Sequence, residues 1–527
     1  MTREDSYLND NSYADVLKQI SQLEGESVQV IFTCPPIIQR ALLKMQDFKD
    51  RYQRDLVSLD EVWKECKRVL KDSGSMWIAC DNYFYDEQLV RLPFELGRRI
   101  QGCGFLFRNV IIWYNLQAER LSRNLVNRYS CILFFTKSKN YRFDLDQVRE
   151  PHIWKDVEWG GGRRSRYNPR GKDPSNFWLR TEGERGKTLR HIPLTLEDVI
   201  ARCLLVSSDV NDAVLDIFAE NSTTQEIARK LNRIPKACFS QVSYSRELST
   251  STIEKNRVIM EAKSNPGFGG RIYLKSSEAM DEVSDSSVQL VITSPPYWGL
   301  RDYGVGKQIG YGESYEEYLS RLGKVWKECF RVLFSTGSLW ININKRIIDG
   351  NILLFPEDIT RVVLETGFCL KDIVVWHKPV FVPTTGPKNF TDRHEYVLFF
   401  TKSYDNYLFK HYEPEKPDYL HPGNEKLANV WKIHRRIGNI GKQISVMINE
   451  REIKHTAVYP NELVRRIILL CSNKGDLVLD PFAGSGTTLV VANFLGRQWI
   501  GYELNPDYRA IIEWRLKNEA ESLLAWV

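Results

Sequence analysis

The residues with the clearest chemical reach lie in the string "TSPPYW", Thr293 to Trp298, directly after the apolar run "VQLVIT". Pro295 and Pro296 lack an N–H and hold φ fixed, so they end strand pairing and stiffen the loop. The Pro295 carbonyl is then free to accept a hydrogen bond. Ser294 supplies a side-chain oxygen and Tyr297 a flat face. This set suits a planar group with an exocyclic NH2: the amine donates to the serine oxygen and the proline carbonyl, and the ring stacks on tyrosine. A second string, "DLVLDPFAGSGTT" from Asp476, has a strand ending at Asp480, a glycine-rich turn, and a helix beginning near Thr487. Gly484 and Gly486 allow positive φ and close approach of a ligand to the backbone. The next strand, "RQWIGYE", ends in Glu503, where a carboxylate accepts both ribose hydroxyls of a nucleoside. No G-x-x-x-x-G-K-[ST] string is present, so a triphosphate cradle is not expected.

The elements that must position these residues are written twice. Trp63-Lys64-Glu65-Cys66 recurs as Trp326-Lys327-Glu328-Cys329, "LFFTKS" at Leu133 recurs at Leu398, and "VLDIFAENSTT" at Val214 recurs as "VLDPFAGSGTT" at Val478. A near-constant shift of 263 to 265 residues over most of the chain means two copies of one domain in tandem. The expected division is residues 1–244, a linker at 245–270, and residues 271–527. Apolar runs such as "VQLVIT" and "GSLWINI" alternate with stretches of helical spacing such as "YLSRLGKVWKECFRVL". The pattern predicts an α/β fold in each copy: two tandem Rossmann-like domains, each a mostly parallel sheet with helices on both faces. Ligands of such sheets bind beyond the C-terminal ends of strands, where both strings sit.

The two strings together resemble those of S-adenosylmethionine-dependent DNA amino-methyltransferases, in the β arrangement, where the catalytic S-P-P-Y precedes the D-P-F-x-G-S-G-T-T cofactor motif. The resemblance implies catalytic roles for Ser294, Pro295, Pro296 and Tyr297. It implies cofactor binding by Asp480, Pro481, Phe482, Ala483, Gly484, Ser485, Gly486 and Thr487, with Glu503 at the ribose. "HTAVYPNELVRRII" from His455 is similar to the segment that packs beside the methionine end of the cofactor, and its helix is expected to be capped by Asn461. Serine in the first motif position is typical of cytosine-N4 enzymes, with adenine-N6 methylation on the same scaffold as the alternative. Where many relatives carry Gly-Asp in the strand before the catalytic loop, this chain has Lys275-Ser276-Ser277, which puts one contact to the adenine side in doubt. A methyl sulfonium facing the amine lone pair allows direct transfer, driven by positioning and by fixed dipoles. A base within duplex DNA must be flipped out to reach such a loop, at roughly a few kcal/mol, and Tyr297, together with Trp298, would offset part of that cost by stacking.

The first copy has lost these features. Ser294 corresponds to Cys34, Tyr297 to Ile37, Pro481 to Ile217, Gly484 to Glu220 and Gly486 to Ser222, while Pro35 and Pro36 persist. That copy is expected to bind no cofactor, to catalyse nothing, and to pair with the second as an internal pseudo-dimer. Within "WGGGRRSRYNPRGK", Arg163, Arg164 and Arg166 suit phosphate contacts. Arg435 and Arg436, in "WKIHRRIGNIGK", fall in the region between His377 and Lys454 where target recognition is expected. Double-stranded DNA is thus the expected partner, and a separate restriction endonuclease acting on the same site fits the restriction–modification setting the resemblance implies. A DNA-binding regulator built from two worn copies would suit the first half and not the second.

Composition limits the alternatives. The net charge of +6 permits nucleic acid without demanding it. No apolar run is long enough to span a membrane. The polar start "MTREDSYLNDNS" lacks a secretory pattern, and ten cysteines without a C-x-x-C pair read as reduced thiols, so a cytoplasmic protein with no metal site is expected.

Overall fold

The computed structural model describes residues 11–36, 45–85, 88–115, 125–151, 168, 170–182, 190–219, 221–239, 270–379, 388–410, 427–433, 444–448, 450–455 and 458–519. Ile37, Arg163, Arg164, Arg166, Glu220, Arg435 and Arg436 lie outside the described residues, and of the 245–270 junction only Gly270 is described.

The first sheet is built from β1 (Val28–Thr33), β2 (Leu70–Cys80), β3 (Leu106–Tyr114), β4 (Tyr129–Thr136), β5 (Phe177–Trp178), β6 (Ala213–Asp216) and β7 (Ile234–Ala237). The second contains β8 (Arg271–Tyr273), β9 (Val288–Thr293), β10 (Leu333–Ile343), β11 (Cys369–His377), β12 (His394–Thr401), β13 (Val430–Lys432), β14 (Leu477–Asp480) and β15 (Gln498–Tyr502). Among the described residues the strand orders are β7-β6-β1-β2-β4-β3-β5 and β8-β15-β14-β9-β10-β12-β11-β13. Apart from the added edge strand β8, the second order repeats the first strand for strand. Pairing is parallel except where β4 and β12 run against both neighbours.

The central strands β1 and β9 are buried at every position, as strands covered on both faces must be. The helices of the first half are α1 (Asn11–Ser21), α2 (Met45–Val69), α3 (Leu92–Gly102), α4 (Leu196–Ser207) and α5 (Thr223–Lys230). Those of the second are α6 (Tyr315–Val332), α7 (Phe355–Glu365), α8 (Asn461–Cys471), α9 (Thr487–Phe494) and α10 (Pro506–Asn518). Alternate strand residues face different layers: Leu339 and Ile341 join the core with α6 and α7, whereas Leu290 and Trp340 join the core with α8 and α9. α6 starts where a capping box predicts, with Ser314 Oγ accepting from the Glu317 N–H and Glu317 returning a bond to the Ser314 N–H. α8 departs from expectation: Asn461 is its first helical residue, and Pro460 holds the cap position without a side-chain bond. The preceding proline fixes an extended φ there, which leaves asparagine inside the first turn.

The halves meet through matching pieces. Ser175 bridges to Thr391, and Ala428 bridges to Val126. The Phe177 ring stacks on His377 at 3.8 Å, and Arg91 forms an ion pair with Glu357 at 2.9 Å. One continuous apolar core includes Trp63 and Leu96 of the first half and Trp326 and Phe355 of the second.

Candidate active site

Because β9 and β14 are parallel neighbours, their C-terminal ends deliver both sequence strings to one edge of the second sheet. Asp480 ties the two together. It is fully buried, and Oδ1 accepts from Thr293 Oγ1 at 2.7 Å and from the Phe482 N–H at 3.0 Å. Oδ2 accepts from Tyr459 Oη at 3.1 Å, which brings in the segment that follows His455. Burial raises the Asp480 carboxyl above its ordinary range, and these hydrogen bonds oppose the rise.

A cleft opens between the strings. Ser294, Pro295, Pro296 and Tyr297 line one end, and Pro481, Phe482, Ala483, Gly484, Ser485, Thr487 and Glu503 line the other. Asp480 and Gly486 stand behind this wall. Gly486 has φ +77° and packs so tightly on α10 that a Cβ there would lie 2.7 Å from the Ile512 side chain. Gly484 has φ +53°, and a Cβ there would lie 2.9 Å from His455 Nε2. The turn therefore presents backbone rather than side chain at its apex.

Glu503 is held just past the end of β15. Its Oε2 accepts from the Gly484 N–H and its Oε1 from the Asn505 N–H, both at 2.8 Å. Burial pushes its carboxyl up to about 7, against the pull of those two N–H groups. Burial, with the charges of Arg301 and Arg515 adding to it, pushes His455 down to about 4, so its ring is neutral at pH 7. Two buried polar atoms on the cleft wall, Ser277 Oγ and His455 Nδ1, have no hydrogen-bond partner among the described residues. Both are free to bond a polar ligand in the cleft.

At the other end, the Ser294 hydroxyl and the Pro295 carbonyl have no hydrogen-bond partner among the described residues, whereas the loop around them is fixed. Pro296 O accepts from Tyr318 Oη at 2.9 Å, and Tyr297 Oη accepts from the Asn344 N–H at 2.9 Å. Trp298 does not line the cleft. Its Nε1 donates to Glu313 O at 2.9 Å and its ring packs on Tyr315, so it stabilises the loop.

Several contributors carried no sequence signal. Arg515 of α10 is buried and donates to Ser485 O at 2.8 Å and Thr487 Oγ1 at 3.0 Å, bracing the turn from behind. Ser277, in the stretch that departs from the family's pattern, lines the cleft with its free hydroxyl.

The first half differs at the matching edge. Tyr13 of α1 packs edge-on against Phe218, the counterpart of Phe482, at 6.2 Å. Its hydroxyl donates to Pro36 O at 2.8 Å. One buried side chain thus spans the two motif copies between which the cleft of the second half runs. Ser222 takes φ −86°, where its counterpart Gly486 is left-handed. Cys34 is exposed.

Comparison with known proteins finds the same family in both halves. The N6/N4 profile for DNA methylases matches residues 28–260 and 288–513. The chain is 32% identical over 267 residues to the type II methyltransferase M.Cfr9I of Citrobacter freundii, covering 45% of this chain and 84% of that protein. It is 31% identical over 267 residues to M.XycI of Xanthomonas campestris pv. cyanopsidis, with the same coverage of each chain. Among solved structures, the cytosine-N4-specific PvuII DNA methyltransferase aligns with a TM-score of 0.38 at 23% identity, over 49% of this chain and 90% of that one. A complex of M1.HpyAVI with S-adenosylmethionine aligns with a TM-score of 0.34 at 20% identity, over 47% and 98%. The chain belongs to the N6/N4 DNA methylase family.

Proposed function

We propose that this DNA methylase transfers a methyl group from S-adenosylmethionine to the exocyclic N4 of a flipped-out cytosine in double-stranded DNA. The observation that carries the reading is the pair of unpartnered acceptors, Ser294 Oγ and the Pro295 carbonyl, at one end of the cleft whose other end is the glycine turn. The cleft fits the donor: Gly484 offers bare backbone, Ser277 Oγ and His455 Nδ1 offer unused polar atoms, and Glu503 offers a carboxylate. Bound S-adenosylmethionine supplies an electrophilic methyl group on sulfur. Ser294 Oγ and Pro295 O accept the two amine hydrogens and so aim the nitrogen lone pair into the cleft. Tyr297, its hydroxyl held by the Asn344 N–H, stacks on the base. As positive charge develops on the nitrogen, the two oxygens stabilise it; the N–C bond forms as the C–S bond breaks, and the nitrogen's proton then passes to solvent by way of the Ser294 hydroxyl.

The first half, residues 1–244, serves in this reading as a non-catalytic partner in an internal pseudo-dimer. The Tyr13 side chain, set against Phe218 and bonded to Pro36 O, supports its loss of cofactor binding. Its basic stretch around Arg163, Arg164 and Arg166, with Arg435 and Arg436 of the second half, grips DNA. A restriction–modification setting in the cytoplasm, with a separate endonuclease, completes the proposal. Among the described residues no helix is long and apolar enough to cross a membrane.

The test is methyl transfer from labelled S-adenosylmethionine to mixed-sequence duplex DNA, with the product nucleoside identified by mass. N4-methylcytosine from the wild type, lost in Ser294→Ala, is the expected result. N6-methyladenine would keep the mechanism and overturn the choice of base. No methylated DNA with cofactor still bound would overturn DNA as the substrate.

A further inference from the structure

The hydroxyl of Tyr297 is the near end of a buried chain of hydrogen bonds whose far end lies in the other half. Tyr297 Oη accepts from the Asn344 N–H at 2.9 Å, and Asn344 Nδ2 donates to Asp392 Oδ2 at 3.0 Å. Asp392 Oδ1 accepts from Lys345 Nζ at 2.6 Å and from Asn176 Nδ2 at 2.8 Å. Asn176 belongs to the first half, just before β5. It is fully buried, and its other amide atom, Oδ1, accepts from the Arg393 N–H at 2.8 Å. Its own N–H donates to Thr391 O at 2.9 Å. One first-half residue thus holds residues 391–393 by backbone and Asp392 by side chain.

The pseudo-symmetry of the fold supplies an internal control. Asn429, just before β13, is the counterpart of Asn176. Its N–H donates to Val126 O at 3.0 Å, its Oδ1 accepts from the Arg128 N–H at 3.1 Å, and its Nδ2 donates to Asn127 Oδ1 at 3.1 Å. The contacts across the two halves are therefore equivalent up to Asn127 and Asp392. Beyond that point they differ. The register of β2 with β10 places Asp81 and Asn82 where the second half has Asn344 and Lys345. Asn82 turns its Nδ2 to Tyr129 Oη at 3.1 Å, and no tyrosine stands at position 37 to receive a relay. Only the side that ends on the proline loop carries the charged pair Lys345–Asp392.

We propose that Asn176 is a positioning residue for methyl transfer: through Asp392 and Asn344 it fixes the ring of Tyr297, so that the degenerate half completes the active site of the other. The inference rests on the reading of Tyr297 as the base-stacking residue. A ring that must lie parallel to an extruded base gains from having its hydroxyl anchored, because small misplacements of reacting groups cost large factors in rate. Buried polar chains transmit such an anchor because each unsatisfied member would be costly. Burial works against the charge of Asp392, yet the facing cations Lys345 and Lys378 hold its carboxyl well below the usual range. The acceptor for Asn176 and Asn344 therefore stays ionised at neutral pH.

The experiment compares Asn176→Ala with Asn429→Ala in the full chain, each carrying 3-fluorotyrosine at position 297. Single-turnover methyl transfer to duplex DNA is measured at saturating cofactor, together with cofactor KM and the fluorine resonance of residue 297. Asn176→Ala is expected to slow transfer about tenfold, to leave cofactor KM within twofold, and to shift or broaden the fluorine line. Asn429→Ala, which removes the equivalent contacts on the other side, is expected to change none of these beyond twofold. Asp392→Asn, which keeps shape and loses charge, should reproduce the Asn176→Ala result and guards against a variant that fails to fold. Equal effects of Asn176→Ala and Asn429→Ala, or an unmoved fluorine line in Asn176→Ala, would overturn the proposal. If the wild type methylates no DNA, the functional reading fails, and the fluorine line still decides whether Asn176 reaches Tyr297.

Discussion

If Glu503 holds the cofactor ribose as proposed, its carboxyl should make cofactor affinity depend on pH in a window where little else in the cleft titrates. Its pKa is pushed up to about 7 by burial, against an ordinary 4.5. The sign follows from that direction. In the protein without cofactor, the carboxyl stays protonated up to about pH 7, so folding stability falls as pH rises from about 4.5 to 7, by roughly 3 kcal/mol in all. Ribose hydroxyls are hydrogen-bond donors and need the ionised form. Binding is therefore strongest above pH 7 and weakens as pH falls through it. If only the ionised form binds, affinity at pH 6 is about tenfold lower than at pH 8, or about 1.4 kcal/mol. The neighbours do not blur this window: His455 is pushed down to about 4, and the tyrosines Tyr459 and Tyr508 are raised. Isothermal titration of S-adenosylmethionine from pH 6 to pH 8 reads the slope directly. Glu503→Gln should bind more weakly at pH 8 and show a flat profile. A wild-type affinity constant across that range, or an unchanged slope in Glu503→Gln, would refute the role given to this carboxylate.

Three further outcomes are expected. Gly484→Ala places a Cβ 2.9 Å from His455 Nε2 on a backbone at φ +53°, so it should cost about 1–2 kcal/mol in thermal unfolding and abolish measurable cofactor binding. Tyr13→Ala removes a buried ring from the first half and should cost about 3 kcal/mol by denaturant titration. The cofactor stoichiometry should stay at one per chain, and a second bound equivalent would show that Tyr13 alone closes that half. Charge reversal at Arg163, Arg164 and Arg166 should weaken duplex binding and flatten its salt dependence, and unchanged affinity at 50 and 200 mM salt, on the order of the usual working range, would remove them from the interface.

The tandem architecture was legible because buried strands and helices repeat their apolar spacing regardless of function. "VQVIFT" and "VQLVIT" became the central strands, and the Trp-Lys-Glu-Cys helices packed with Trp63 and Trp326 fully buried. The two strings that meet at the cleft were legible for a related reason: parallel pairing of β9 and β14 follows from the fold class. What stayed hidden depends on contacts distant in sequence. Nothing near Arg515 announces that it braces Ser485 and Thr487, and nothing near Tyr13 announces Pro36. Trp298 looked available for stacking because a loop aromatic next to a tyrosine carries no local sign of its partner. Its indole N–H instead satisfies Glu313 O. Asp480 read as a cofactor ligand, and nothing in the sequence signalled that it also accepts from Thr293, Phe482 and Tyr459 and so holds the two strings together.

The unequal wear of the two halves has an energetic logic. Trp77 stacks on Phe134 at 4.0 Å, and their counterparts Trp340 and Phe399 stack at 4.1 Å. Truncating such a buried aromatic costs about 3–5 kcal/mol, a large part of the roughly 5–15 kcal/mol that keeps a domain folded. Such pairs resist change whether or not the half performs chemistry. The glycine turn obeys the opposite rule. Left-handed backbone at Gly484 and Gly486 is an entropic burden on folding, tolerated where a ligand must approach. Replacing Gly486 by the equivalent of Ser222 lets that residue relax to φ −86°, so losing the cradle relieves the fold instead of damaging it. If the first half has lost its chemistry as proposed, its polar and strained positions are the first that substitution leaves stable or improves. The positions that contact the other half are not free in this way. Asn176 and Asn429 stand at equivalent places and accept equivalent backbone N–H groups across the halves, and burying either amide without its partners would be costly.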